Sequence, residues 1–254
     1  MTSTLVPGTE PYSAEGGPVG VLLSHGFTGS PASMTPWAQH LADAGHTVRV
    51  PRLPGHGTTW KDMNTTRWQD WYAEVDAALT DLRSRCDRVV VAGLSMGGCL
   101  ALRLAEQRPT DVDALVLVNP AVNVARLDIK LVPALQWVVP AMPGIGNDIK
   151  KPGQDEIGYD KTPLKALASQ VRMWKDVRAG LPKVTQPLLL FRSTDDHVVD
   201  ATSKTIILDG VSSTVKEFVA LEDSFHVATL DHDAARIFTA TDDFIAQHVG
   251  ARRD

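Results

Sequence analysis

The chain has 254 residues, 43% hydrophobic and 22% charged, which is enough apolar material for a full core and excludes the disordered and fibrous classes. A formal net charge of -5 carries no basic footprint, so no nucleic-acid partner is expected. Cys86 and Cys99 are the only cysteines, which excludes a disulfide framework, and no apolar run reaches the roughly 18 residues of a membrane-spanning helix.

The N-terminal twenty residues lack the basic-then-apolar order of a signal peptide, so a cytoplasmic protein is expected. Apolar runs bounded by turn residues then alternate with helix-period segments. A strand is predicted at 19–24, then a glycine turn His25-Gly26-Phe27-Thr28-Gly29, a helix at 34–44 and a strand at 46–50. The helix predicted at 67–85 carries Trp68, Trp71, Val75, Leu79 and Leu82 at helical spacing, a core stripe rather than a ligand site. A strand at 88–92, a helix at 95–107 and a strand at 114–118 follow; after a gap come a strand at 187–191, a helix at 203–208, a strand at 214–220 and a helix at 233–248. This alternation predicts a mostly parallel central sheet flanked by helices.

Where the strand at 88–92 meets its helix stands Gly93-Leu94-Ser95-Met96-Gly97. Glycines two residues either side of a serine permit a turn tight enough to lift the hydroxyl clear of the backbone, at a helix N-terminus that favours developing negative charge. A serine hydroxyl is a weak nucleophile at neutral pH and needs a base, itself oriented by a carboxylate. Where the nucleophilic serine stands on such a G-x-S-x-G strand-to-helix turn, the acid follows the serine and the histidine follows the acid. Two loops after late strands supply them: Thr194-Asp195-Asp196-His197, and Glu222-Asp223-Ser224-Phe225-His226.

His25, His40, His46 and His56 precede the serine, His197 adjoins the candidate acid, and His232 and His248 belong to the last helix or its approach, leaving His226 as base. Asp196 is the candidate acid with Asp195 as its competitor; Asp200 reads as a helix cap. The oxyanion hole needs two convergent amides, and Met96, after the serine, and Phe27, in the early glycine turn, are the candidates.

The alternation fails between Pro120 and Pro182, where about sixty residues hold no strand of the expected kind and an insertion is the simplest account. Within it, 131–145 is apolar except for Gln136 and is broken by three prolines. It is either an ordinary buried insertion helix or a lid lining an apolar substrate tunnel.

These segments together resemble the α/β-hydrolase superfamily, and within it the bacterial carboxylesterase and monoacylglycerol lipase group. The resemblance rests on His25-Gly-Phe-Thr-Gly, Pro51-Arg-Leu-Pro-Gly-His-Gly, Gly93-Leu-Ser-Met-Gly-Gly, Asp196-His-Val-Val and His226-Val-Ala-Thr-Leu-Asp, and runs from about Val19 to Ala246. It implies an α/β-hydrolase fold with a core of 1–120 and 182–254 and a small cap insertion at 121–181. It also implies Ser95 as nucleophile, Asp196 as orienting acid, His226 as base and the Phe27 and Met96 amides as oxyanion hole. A small ester, most of all a monoacylglycerol, would be the substrate, with no cofactor and no metal. Asn119 and Glu156 are carried over as headgroup contacts, against the plainer readings of a strand-end turn asparagine and a surface glutamate. Ile145, closing the apolar segment, completes the substrate-binding candidates. Asp200 where the group often has proline, and Phe225 where it often has glycine, are departures that leave the chemistry intact. The same fold also supports thioesterases, carbon–carbon hydrolases and perhydrolases, and a non-catalytic binding protein is a further alternative.

Overall fold

Buried on both faces, the Val- and Leu-rich runs of the chain pair as the parallel strands of one sheet. The computed structural model describes residues 4–125, 127–144 and 146–250. Its seven-stranded sheet runs β1 (Tyr12–Ala14), β3 (Thr47–Val50), β2 (Val19–Ser24), β4 (Arg88–Leu94), β5 (Ala114–Val118), β8 (Leu188–Ser193) and β9 (Lys216–Leu221), all parallel except β1.

Alternate residues feed two cores, as the two-residue period of a strand requires. Leu22, Val91, Leu117 and Leu190 face α3 (Trp68–Arg83), α4 (Met96–Gln107) and α6 (Leu164–Gly180), while Leu23, Ala92, Val116 and Phe191 face α1 (Thr35–Asp43) and α8 (Ala234–His248). The predicted stripe lands where expected: Trp71, Val75, Leu79 and Leu82 are fully buried. Short helices α2 (Trp60–Met63) and α7 (Thr202–Gly210) complete this part. Parallel pairing brings the C-terminal ends of β2, β4, β5, β8 and β9 to one edge, where ligands bind in open α/β sheets.

Three elements differ from expectation. Edge strand β1, only three residues, pairs antiparallel with β3 through Tyr12↔Val50 and Ala14↔Val48. In the stretch from 121 to 181, the long helix α6 roots Met173, Trp174 and Val177 in the main core. The apolar segment at 131–145 is no single buried helix: α5 (Leu127–Leu135) ends inside it and β6 (Ala141–Pro143) pairs with β7 (Lys161–Pro163). Leu131, Trp137 and Val138 lie exposed there, whereas Val132 turns inward; the prolines and the two-stranded pairing break the run into pieces with different environments. Among the described residues no helix is long and apolar enough to cross a membrane.

One buried charge in this framework sets a pH dependence of stability. Glu106 on α4 has a fully buried side chain, one ion pair to Arg103 at 2.9 Å, and an Oε1 without a partner. Burial pushes its pKa from 4.5 up to about 7, with the Arg103 hydrogen bond opposing. A folded-state pKa above the unfolded one favours folding below about pH 4.5, and that contribution is lost as pH rises toward 7. Thermal melts of Glu106→Gln should therefore match the parent near pH 4 and lie several degrees higher at pH 8.

Candidate active site

Ser95 sits between β4 and α4 with φ 55° and ψ -114°, a left-handed conformation that costs a β-carbon-bearing residue about 1–3 kcal/mol. Its neighbours hold it there. The Ser95 amide donates to Val118 O on β5 at 3.0 Å, and its carbonyl accepts the amides of Ala121 at 3.1 Å and Cys99 at 3.3 Å. The flanking glycines are sterically required: a Cβ at Gly97 would lie 2.0 Å from Ser24 O, and one at Gly93 would lie 2.3 Å from the Gly97 carbonyl carbon. Helix α4 can thus begin directly against the end of β2.

The two late loops meet beside this serine. Asp196 Oδ2 lies 2.9 Å from His226 Nδ1, leaving Nε2 as the ring nitrogen available for a proton transfer. Ser95 and His226 line one cleft. Asp196, its side chain fully buried, also accepts the Val198 amide at 2.9 Å and the Val199 amide at 2.8 Å, and pairs with Arg192. Burial alone would raise its pKa; the charge and hydrogen bond of His226, the Arg192 guanidinium and the Val199 amide outweigh that and hold it below the ordinary carboxylate value. Asp195 is 66% exposed and reaches His197 Nε2 at 3.4 Å, so of the two competing acids it is Asp196 that meets His226.

The turn after β2 closes the other side. Met96 is the first residue of α4, so its N–H lacks an intrahelical acceptor, and Phe27 lines the cleft in the turn packed on Ser95. A Cβ on Gly26 would sit 3.4 Å from Ser95 Cβ. His25 stiffens this turn: its Nε2 accepts the Leu53 amide at 3.2 Å, so Nδ1 carries the proton and donates to Gly26 O at 3.0 Å. Burial lowers its pKa to about 4, so it stays neutral.

The substrate-binding candidates separate. Glu156 lines the cleft with Ser95 and His226; burial pushes its carboxyl pKa up, with attraction to His226 opposing. It closes on Gly29, where a Cβ would be 2.6 Å from Oε1. Asn119 is different, and the expected headgroup contact is corrected. It is fully buried with φ 44° at the end of β5, its Nδ2 donating to Ser193 Oγ at 2.9 Å and His226 O at 2.8 Å while Oδ1 accepts the Ser193 amide at 2.8 Å. Both ends of that amide are engaged in bracing the β8 and His226 loops. Ile145 lies outside the described residues.

Val124, Val132, Met142, Leu164, Leu167 and Trp174 make the rest of the cleft largely apolar. Two polar residues of the site went unpredicted. Arg192, four residues before Asp196, is a charge spacing visible in the sequence; Asp148 has partners 49 and 78 residues away and no local signature. Among the described residues no cluster of three or more His, Cys, Asp or Glu side chains is arranged to hold a metal ion.

Residues 19–233 match the family model described as "Serine aminopeptidase, S33". The chain is 44% identical over 246 residues to the thermostable monoacylglycerol lipase of Bacillus sp. (strain H-257), covering 97% of this chain and 98% of that one. It is 26% identical over 225 residues to the carboxylesterase of Bacillus subtilis (strain 168), covering 88% and 91%. A solved structure from work on LipS and LipT, two metagenome-derived lipolytic enzymes, superposes with a TM-score of 0.94 at 40% identity, covering 96% of this chain and all of that one. The monoacylglycerol lipase of Paleococcus ferrophilus shares the fold at a TM-score of 0.79 and 17% identity, covering 98% and 100%.

The geometry distinguishes the two neighbouring aspartates in a measurable way. With p-nitrophenyl ester as substrate, Asp196→Asn should lower kcat by about 10³- to 10⁴-fold through the histidine tautomer, and Asp195→Asn should leave it near the parent value.

Proposed function

This chain belongs to the family described as Serine aminopeptidase, S33, within the α/β-hydrolase superfamily, and from that premise we propose a serine ester hydrolase whose preferred substrate is a monoacylglycerol. One observation carries the choice of substrate: of the two carboxylates that line an otherwise largely apolar cleft, Asp148 is engaged by the His197 and His226 amides, and Glu156 stands beside Ser95 and His226. An acyl chain suits the apolar walls, and a glycerol headgroup with two free hydroxyls suits the carboxylate as acceptor.

In this reading Ser95 is the nucleophile, His226 the base and Asp196 the group that fixes its tautomer. As Ser95 Oγ bonds to the ester carbonyl carbon, its proton passes to His226 Nε2, and the Phe27 and Met96 amides take the developing oxyanion. Collapse breaks the ester C–O bond and the proton leaves with the glycerol oxygen. Water then gives a proton to His226 and its oxygen to the acyl carbon, and the Ser95–acyl bond breaks as the proton returns to Ser95. Residues 121–181 act as a cap on the core of 1–120 and 182–254, a role supported by Val132 and Met142 in the cleft wall. The reading extends to the cytoplasm, where the buried thiols of Cys86 and Cys99 stay reduced.

The test is a turnover series. Each buried methylene contributes up to about 0.8 kcal/mol, so octanoyl esters should exceed acetyl esters, and monoacylglycerols should exceed di- and triacylglycerols and acyl-CoA. Glu156→Ala should weaken the glyceride preference more than activity on p-nitrophenyl octanoate. Triacylglycerol cleaved as fast as monoacylglycerol, or acetate preferred to octanoate, would contradict the substrate while leaving ester hydrolysis in place.

A further inference from the structure

The loops carrying Asp196 and His226 are joined a second time, by a carboxylate from a distant part of the chain. Asp148 lies between β6 and β7, and its Oδ2 accepts the His226 amide at 3.1 Å and the His197 amide at 3.2 Å. Its Oδ1 meets His197 Nδ1 at 2.7 Å, and its own carbonyl accepts the Val227 amide at 3.1 Å. His197 is the residue next to Asp196. One oxygen therefore ties the base to the neighbour of the acid, across sequence separations of 49 and 78 residues.

The surroundings reinforce this join. Lys150 and Lys151 donate their amides to Asp231 Oδ2 at 2.7 Å and Oδ1 at 2.9 Å, and the same Oδ2 accepts the Phe225 amide at 2.9 Å. Residues 148–151 thus run along the His226 loop, held by a carboxylate from each side. Combined with Asn119, which donates to His226 O at 2.8 Å, Asp148 leaves the His226 backbone gripped at both its N–H and its C=O. The ring is gripped separately, by Asp196 at Nδ1. Although Asp148 lines the cleft, its side chain is only 10% exposed and three donors already face its two oxygens, an arrangement for holding protein rather than substrate.

We propose that Asp148 is a positioning residue for the base, setting the distance between the His226 and Asp196 loops through its shared amide acceptor. The inference rests on His226 being the base. Misplacing a reacting group by a fraction of its hydrogen-bond length lowers the rate of the chemical step without weakening substrate binding to the same degree. The required property is an acceptor oxygen, and asparagine keeps one: Asp148→Asn can accept both amides and offer its NH₂ to a neutral His197 Nδ1.

Steady-state kinetics on p-nitrophenyl octanoate test this with Asp148→Ala, Asp148→Asn, His197→Ala and His226→Gln, each checked by thermal melting. Asp148→Ala should lower kcat on the order of 10- to 100-fold with KM little changed, and Asp148→Asn should recover most of that loss. His197→Ala, which frees Oδ1 but spares both amides, should lower kcat severalfold at constant KM, and it carries the test if Asp148→Ala does not fold. Parent-like kcat in Asp148→Ala, a defect confined to KM, an Asp148→Asn as impaired as alanine, or unchanged kcat in His197→Ala would overturn the proposal. His226→Gln separates the layers: its inactivity upholds the base assignment, and its activity would remove that assignment whatever Asp148 does.

Discussion

Helix α4 starts so close to the end of β2 that no side chain fits between them, and the rest of the site is arranged around that approach. A Cβ at Gly97 would stand 2.0 Å from Ser24 O, far inside any van der Waals contact. Because the helix begins there, Ser95 is forced to φ 55°, and the Val118 carbonyl and the Ala121 and Cys99 amides keep it from relaxing. The strain of about 1–3 kcal/mol is small beside the burial energy of two cores, so the fold can hold it. In return the hydroxyl projects into the cleft at a helix N-terminus, with the Met96 amide directly after it.

A second constraint is electrostatic. A carboxylate as buried as that of Asp196 would ordinarily be driven toward its neutral form, in which it could not stabilise a charged imidazole. Arg192, two backbone amides and His226 together reverse that tendency. Glu156 and Glu106 lack such a full set of donors, and burial moves both upward instead. The same type of side chain is thus held below its ordinary pKa at one place and above it at two others, according to how many donors face it.

Much of this was legible in the sequence. The strands β2 and β5 fall on the predicted residues because an apolar run bounded by turns has few other ways to bury itself, and the α3 stripe declared its buried face by spacing alone. The serine turn and the two loops that carry Asp196 and His226 were readable because each is local. Helix α6 was legible in principle, since Leu164, Leu167, Val171 and Trp174 recur every three or four residues, but its apolar face is divided between two clusters and its neighbours are irregular. Strands β1 and β6, three residues each, leave no periodicity to find. Asn119 and Asp148 take their roles from partners more than 45 residues away, and an asparagine at a strand end or an aspartate in a loop looks the same with or without them.

The proposed function makes Ser95 the nucleophile, and covalent labelling is the measurement that tests this most directly. After treatment with a fluorophosphonate, peptide mass mapping should find a single adduct on Ser95, with esterase activity lost in step with its formation and neither seen in Ser95→Ala. Inactivation without modification of Ser95, or an adduct at Ser95 that leaves turnover intact, would contradict the account.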